Sequence, residues 1–259
     1  MVRFCPLASG SKGNAIFLST EKTKILFDCG LSAKQLEVRL NSIGESLSEI
    51  EAILISHEHT DHIRAVEIVS KQYQIPILAN SETAKAILAQ VRVEPLFKIF
   101  STGETFHFKD LEIHPFSIQH DTLDPVAFTV KTCGYKIGIC TDLGFATSLV
   151  ENHLRGCDVL YLESNHEPSM VHASARPMVY KQRVLGRQGH LSNEAAAELL
   201  QKVAHEKLLK VYLAHLSEEC NHPEVALKKA KEALSKAEIS VEIAHQVKCS
   251  SLLELFLRV

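Results

Sequence analysis

Between positions 56 and 62 the chain reads Ser56-His57-Glu58-His59-Thr60-Asp61-His62. Three imidazoles and an aspartate within six residues offer neutral nitrogen and anionic oxygen donors together, a mixture that Zn²⁺, Mn²⁺ and Fe²⁺ accept. A solvated, histidine-rich turn is the plain alternative, but H-x-H-x-D-H is too specific a pattern to prefer it. At a turn the backbone can splay these side chains toward two points, so that His57 and His59 face one cation and Asp61 and His62 a second. Four ligands do not complete two sites. Three further candidates follow in order, each closing an apolar run: His120 after Ile118-Gln119, Asp142 after Cys140-Thr141, and His215 after Val211-Tyr212-Leu213-Ala214. Alone, each is an ordinary polar residue; after the first motif they form a pattern.

Rigid elements must aim these side chains. Strand-like runs occupy Val2–Leu7, Ala15–Ser19 and Lys24–Asp28, with the turn Gly10-Ser11-Lys12-Gly13-Asn14 between the first two. Leu36, Leu40 and Ile43 have helical spacing. Ala52-Ile53-Leu54-Ile55-Ser56 reads as a buried strand feeding the histidine motif. Helices are expected over Ile63–Tyr73 and Ser81–Gln90, around a short strand Ile75–Ala79. From Phe97 to Cys140 the pattern is mostly strand. Val159–Leu162 and Leu208–Ala214 are further strands. Asn193–Ala204 is a helix capped by Ser192 or Asn193, and Pro223–Leu234 a helix with proline at its first position. Sheets with helices on their outer faces, in two similar halves, predict an α/β sandwich in four layers, αββα.

Composition narrows the setting. With 259 residues and no linker, repeat or low-complexity run, a single domain over 1–259 is the simplest organisation. No segment reaches the roughly 18 apolar residues of a membrane helix, and the start lacks a signal-peptide core, which predicts a cytoplasmic protein. Seven cysteines, none in C-x-x-C spacing, argue against a disulfide framework. A net charge of −3 excludes a uniformly basic surface, so polyanion binding must come from local patches and metal ions. The 14 histidines are many for this length; His107, His114, His153, His172, His205 and His245 are assigned to surface or core.

The order H-x-H-x-D-H, His, Asp, His resembles the metallo-β-lactamase-fold hydrolases over nearly the whole chain. The resemblance implies that His57, His59 and His120 bind one metal and Asp61, His62 and His215 the other, with Asp142 bridging. It also places Asp28, in Leu26-Phe27-Asp28-Cys29-Gly30, behind the ligand loop, where a carboxylate orients metal-bound histidines. The 22 residues from His120 to Asp142 leave no room for the arm of many tRNA 3′-processing enzymes. The 73 from Asp142 to His215 exclude an inserted β-CASP domain. The opening Ser9-Gly10-Ser11-Lys12-Gly13-Asn14, with Leu162-Glu163-Ser164-Asn165-His166, Lys181-Gln182-Arg183-Val184-Leu185, Gly189-His190-Leu191-Ser192-Asn193 and His215-Leu216-Ser217, is similar to the YycJ/WalJ-type bacterial proteins. It departs from them at Glu167, at Cys220 and at Arg176-Pro177-Met178.

That resemblance implies a 5′-to-3′ DNA exonuclease with a role in mismatch repair, using two divalent cations, Zn or Mn with Fe also possible, to activate a water between them. Its partners would be single-stranded or 5′-phosphorylated DNA ends. By analogy with tRNA-processing relatives, Glu163 would orient His190, which would serve the departing oxygen beside Asp61 and the metals. Arg176, Lys181, Arg183 and Arg187, with no acid among them and with Tyr180 in their midst, suggest a loop for a phosphate backbone. Ser11, Asn14, Asn165, His166, Lys181 and Arg183 are the expected substrate contacts, and the amides of Gly10–Asn14 a candidate phosphate cradle. Two rival readings use the same metals: a small-molecule hydrolase acting on a cyclic phosphodiester or thioester, and a regulatory protein that binds metal without turnover.

Overall fold

The computed structural model describes residues 1–234 and 239–258. In chain order it forms β1 (Val2–Ala8), β2 (Ala15–Ser19), β3 (Lys24–Phe27), α1 (Ala33–Ser42), β4 (Ala52–Leu54), α2 (Thr60–Ile63), α3 (Val66–Tyr73), β5 (Ile77–Ala79), α4 (Ser81–Leu88) and β6 (Phe97–Ile99). The second half contains β7 (Phe106–Phe108), β8 (Leu111–Ser117), β9 (Val126–Thr132), β10 (Tyr135–Cys140), α5 (Ser148–Leu154), β11 (Val159–Glu163), α6 (Pro168–Ala173) and α7 (Met178–Leu185). It closes with α8 (Asn193–Val203), β12 (Lys210–Ala214), α9 (Pro223–Ala233), β13 (Ser240–Ile243) and β14 (Leu253–Leu255).

Two sheets result, ordered β14-β1-β2-β3-β4-β5-β6 and β13-β12-β11-β10-β9-β8-β7. Strand side chains alternate between faces, and here both faces are apolar. Ile25, Phe27, Ala52 and Leu54 point to the inter-sheet core, where they meet Val159 and Tyr161 of the other sheet. Leu26 and Ile53 point outward onto α1 and α3 residues such as Leu36, Leu40 and Val69. Leu160 and Leu162 do the same against α8 and α9. This gives the expected four layers, and explains why these strands read as continuous apolar runs rather than alternating ones.

β3 to β6 are mutually parallel, as are β10 to β13. β8 runs parallel to β10 because both are antiparallel to β9. The carboxyl ends of β3, β4, β8, β10, β11 and β12 therefore share one edge of the sandwich, where ligand-binding loops of open α/β sheets gather.

Some boundaries differ from the sequence expectation. The helix expected over Ile63–Tyr73 starts earlier and is broken into α2 and α3. Its backbone groups are exchanged with neighbouring loops: Asn14 N–H donates to Asp61 O, Cys29 N–H to His62 O, and Ala65 N–H to Cys29 O, each at 2.8–2.9 Å. An α-helix cannot run through positions whose carbonyls and amides are bonded elsewhere. The stretch expected as a basic loop is the helix α7. Ser192 is the N-cap of α8, its Oγ accepting from Ala195 N–H at 3.1 Å.

Candidate metal centre

Three residues at strand ends adopt left-handed backbone: Asp28 (φ 58°), Asp142 (φ 58°) and His215 (φ 53°). Such conformations cost on the order of 1–3 kcal/mol each and persist only where the surroundings fix them. Asp28 N–H donates to Leu54 O at 2.8 Å. His215 N–H donates to Ser9 Oγ at 2.8 Å, a hydroxyl that also accepts from Tyr161 OH at 2.6 Å. Each turns its side chain back over the sheet edge. Gly30 lets the histidine loop close on its neighbour: a Cβ there would lie 1.6 Å from Asp61 O.

The side chains converge in four overlapping groups, one of which, Asp142, Glu163, His190 and His215, includes the expected catalytic pair. Ligand atoms of His57, His59 and His120 lie within 4.8 Å of one another, as do those of Asp61, His62 and His215. Asp142 joins them: its carboxylate is 3.3 Å from His62 Nε2, 3.4 Å from His215 Nδ1 and 4.0 Å from His120 Nε2.

Four of the five imidazoles are held through Nδ1 and turn Nε2 toward the centre; His59 has no such anchor, its Nε2 lying 3.6 Å from Asp121. His57 Nδ1–H donates to Ser56 Oγ at 2.9 Å, and its buried Nε2 has no partner among the described residues. His62 Nδ1–H donates to Asp28 Oδ2 at 2.8 Å. Asp28 also accepts from Ser56 Oγ–H and from Ser56 N–H, at 2.9 and 2.8 Å. His120 Nδ1–H donates to Gly189 O at 3.1 Å, and its Nε2 faces His59 Nδ1 at 3.2 Å. His215 Nδ1–H donates to Glu163 Oε1 at 3.0 Å, and its Nε2 is again buried without a partner. Orphaned buried nitrogens and imidazole lone pairs facing one another are costly in a bare protein. A divalent cation resolves both, and the donor set of nitrogens and carboxylates fits one.

Electrostatics separate the groups. Burial pushes His57 well below the usual imidazole range, with neighbouring His62 adding to it. Burial likewise lowers His59 and His120. Burial also opposes a charge on His62 and His215, but carboxylates outweigh it. Asp28, Asp142 and Asp61 hold His62 well up, and Asp142, Asp61 and Glu163 hold His215 at about 10. Glu163 is fully buried, and although burial favours its neutral form, His190 and His215 hold it down at about 2.

A cavity of about 360 Å³ opens over these groups, with His59, Asp61, Asp142, His190 and His215 among its lining and Tyr180 and Arg183 on one side. A larger depression of about 1010 Å³ lies at the opposite sheet edge, around the turn at Gly134. Its charges are largely paired, as in Lys131–Glu112 and Arg258–Asp158, and it contains none of the candidate ligands.

Other expected contacts fall in different places. Ser11 and Asn165 line the central cavity. Asn14 is buried: its Oδ1 accepts from Gly10 N–H at 2.8 Å, and its Nδ2 lies 2.9 Å from His62 Nε2, so it braces the motif. His166 is also buried, lowered to about 4 by burial, and is not part of the cavity wall. The Gly10–Asn14 loop is not an open cradle. The amides of Gly10, Lys12, Gly13 and Asn14 have internal acceptors, leaving that of Ser11 without one among the described residues. Three of the four cations in and beside α7 are not free either; the fourth, Arg187, has no ion pair among the described residues and lies over the Phe145 ring at 4.5 Å. Arg183 Nε pairs with Asp121 at 2.6 Å, Arg176 with Glu219 at 2.7 Å, and Lys181 Nζ donates to His172 O at 2.6 Å, away from the cavity.

His190 is held at two points, by its backbone amide and by its ring. Its N–H donates to Val184 O at 3.1 Å and its Nδ1–H to Glu163 Oε1 at 2.9 Å. Glu163 thus serves two imidazoles, and its Oε2 accepts from the amides of Leu143 and Leu191 at 2.9 and 3.0 Å. Sequence reasoning missed Ser56, Ser9, Asp121 and the Gly189 carbonyl. Ser56 and Asp121 adjoin ligands in sequence, which is the one signal that marks them; Ser9 and Gly189 meet the site only through folding.

Residues 23–215 match the family described as "Beta-lactamase superfamily domain". The chain is 30% identical over 249 residues to "Exodeoxyribonuclease YycJ" of Bacillus anthracis, covering 95% of this chain and 94% of that protein. It is 32% identical to "Exodeoxyribonuclease WalJ" of Streptococcus pneumoniae serotype 2 (strain D39 / NCTC 7466), covering 95% and 93%. Among solved structures, the metallo-β-lactamase fold protein YhfI from Bacillus subtilis superposes with a TM-score of 0.74 at 14% identity, over 96% of this chain and 98% of that one. Sequence, fold and the convergence of histidines and aspartates on one sheet edge agree: this chain belongs to the β-lactamase superfamily and, within it, to the YycJ/WalJ family.

Proposed function

We propose that this protein is a two-cation phosphodiesterase that shortens DNA from its 5′ end. The observation that carries the proposal is the pairing of four of the five candidate ligand imidazoles, all but His59, with a protein acceptor through Nδ1, around a shared Asp142. Exodeoxyribonuclease names among relatives covering nearly all of the chain supply the substrate class. His57, His59 and His120 would hold one divalent cation and Asp61, His62 and His215 the other, with Asp142 between them; Zn or Mn fits the donors, as does Fe. When bound, such a pair lowers the pKa of water toward neutrality and offsets charge on phosphate oxygens.

The chain's own groups do the rest. Glu163 Oε1 fixes the His190 ring by its Nδ1–H, which leaves Nε2 as the nitrogen able to hand a proton to the leaving oxygen. Asn165 Nδ2 donates to His215 O at 2.7 Å and keeps that strand end in place. Ser11 and Arg183 both line the cavity. The single-domain organisation and a cytosolic location belong to the same proposal. Seven free cysteines fit a reducing compartment, and among the described residues no helix is long and apolar enough to cross a membrane. A role in mismatch repair rests on the resemblance alone.

The test is digestion of end-labelled single- and double-stranded DNA in Mn²⁺. Stepwise loss from the 5′ end, abolished by EDTA, is expected. One observation favours the small-molecule reading: the cavity is modest and the α7 cations beside it are already paired. Intact DNA together with rapid hydrolysis of a cyclic nucleotide or thioester would establish that reading instead.

A further inference from the structure

A second, smaller cavity of about 260 Å³ adjoins the central one and shares Ser11, Thr60 and Asp61 with it. Its remaining wall is Lys12, Gly30 and Arg64. The two lips of the site differ in what they leave free. On the α7 lip, Arg183 and Arg176 are taken by Asp121 and Glu219. On the other lip, Lys12 Nζ is taken by Glu218 at 2.6 Å, but exposed Arg64 has no carboxylate at ion-pair distance among the described residues. The Ser11 and Thr60 hydroxyls and the Ser11 amide have no hydrogen-bond partner among the described residues either. Guanidinium, two hydroxyls and an amide around a polar hollow are an anion's partners, and Arg suits the geometry of a phosphate.

We propose that this side cavity receives the terminal 5′-phosphate of a DNA strand whose next phosphodiester lies over the metal ligands, with Arg64 as its cation. The proposal rests on the nuclease reading and adds to it the feature that selects the strand end. A terminal phosphate monoester has three unesterified oxygens and close to two negative charges near neutrality, whereas an internal diester has two such oxygens and one charge. The monoester therefore offers these donors one more oxygen and more charge than a diester does. Gly30 keeps the cavity wall thin, because any side chain there would collide with Asp61 O.

The experiment compares kcat/KM for one DNA sequence bearing a 5′-phosphate or a 5′-hydroxyl, in wild type, Arg64→Gln and Arg64→Lys, with metal content measured for each variant. Wild type should prefer the phosphorylated end. Arg64→Gln should retain its metals and lose about 10- to 100-fold on phosphorylated DNA, the scale of a charge-assisted hydrogen bond, so that the preference disappears; Arg64→Lys should recover part of it. A preference that survives Arg64→Gln overturns the subsite, as does equal loss on both ends or a wild type that shortens both DNAs alike. A wild type that hydrolyses bis(p-nitrophenyl) phosphate yet leaves both DNAs intact overturns the nuclease reading, and the subsite with it.

Discussion

His57, His59 and His120 form one side of the centre: His57 and His120 are buried and backed by neutral groups, the Ser56 hydroxyl and the Gly189 carbonyl, while half-buried His59 has the Asp121 carboxylate 3.6 Å from its Nε2. His62 and His215 form the other side, backed by carboxylates: Asp28 behind the first and Glu163 behind the second. Burial lowers the first three, while the carboxylates hold the other two up in spite of burial. The ligand atoms are chemically alike; the groups behind them decide whether they stand ready as neutral donors or hold protons that a cation must displace.

Asp142 is where the two sides meet, so Asp142→Ala should have the largest effect. It should abolish detectable turnover and weaken both cation sites, whereas His215→Ala should weaken only the second; metal content of the two variants checks this. A variant of Asp142 that keeps two tightly bound cations would dissolve the comparison.

His190→Ala comes next. Because His190 hangs from Glu163 and is not among the expected cation ligands, although its Nδ1 lies 3.8 Å from Asp142 Oδ1, both cations should remain while DNA turnover slows ~10²–10⁴-fold, the usual scale for a positioned acid or base. A p-nitrophenolate leaving group, which needs no proton, should recover much of the loss. An emptied cation site, or no recovery, would show that His190 is structural.

Removing the carboxylates behind the ligands sharpens the contrast between sides. Glu163→Gln and Asp28→Asn should each cost ~10–100-fold in metal affinity or activity, with the loss confined to the second site for Glu163→Gln and extending to His57 through Ser56 for Asp28→Asn. The smallest effect should come from Arg183→Gln. Its pair with Asp121 is largely exposed on the arginine side and is worth about 1 kcal/mol or less in stability; thermal unfolding should barely move.

The sequence displayed the candidate ligands that the fold brings together because they occupy a dense motif and three strand ends, and it displayed the layers because buried strands and amphipathic helices have different periods. It concealed what depends on contacts between distant segments. The break between α2 and α3 arises from bonds to Asn14 and Cys29 that no local propensity records. Arg183 of α7 and Arg176 just before it looked available because their acids, Asp121 and Glu219, lie 62 and 43 residues away. Glu163 was legible as a partner of His190, but its second imidazole, His215, comes from a neighbouring strand.

The most direct test is metal content as a function of pH. Raised pKa values of His62 and His215 mean that protons compete for those nitrogens as pH falls. His57, His59 and His120, with lowered values, stay neutral to lower pH. Protein loaded at pH 8 should hold two cations per chain, release protons on loading, and pass through a one-cation state on acidification, with the ion beside His62 and His215 leaving first. One cation or fewer at pH 8, or two that leave together with no proton release on loading, would contradict the account.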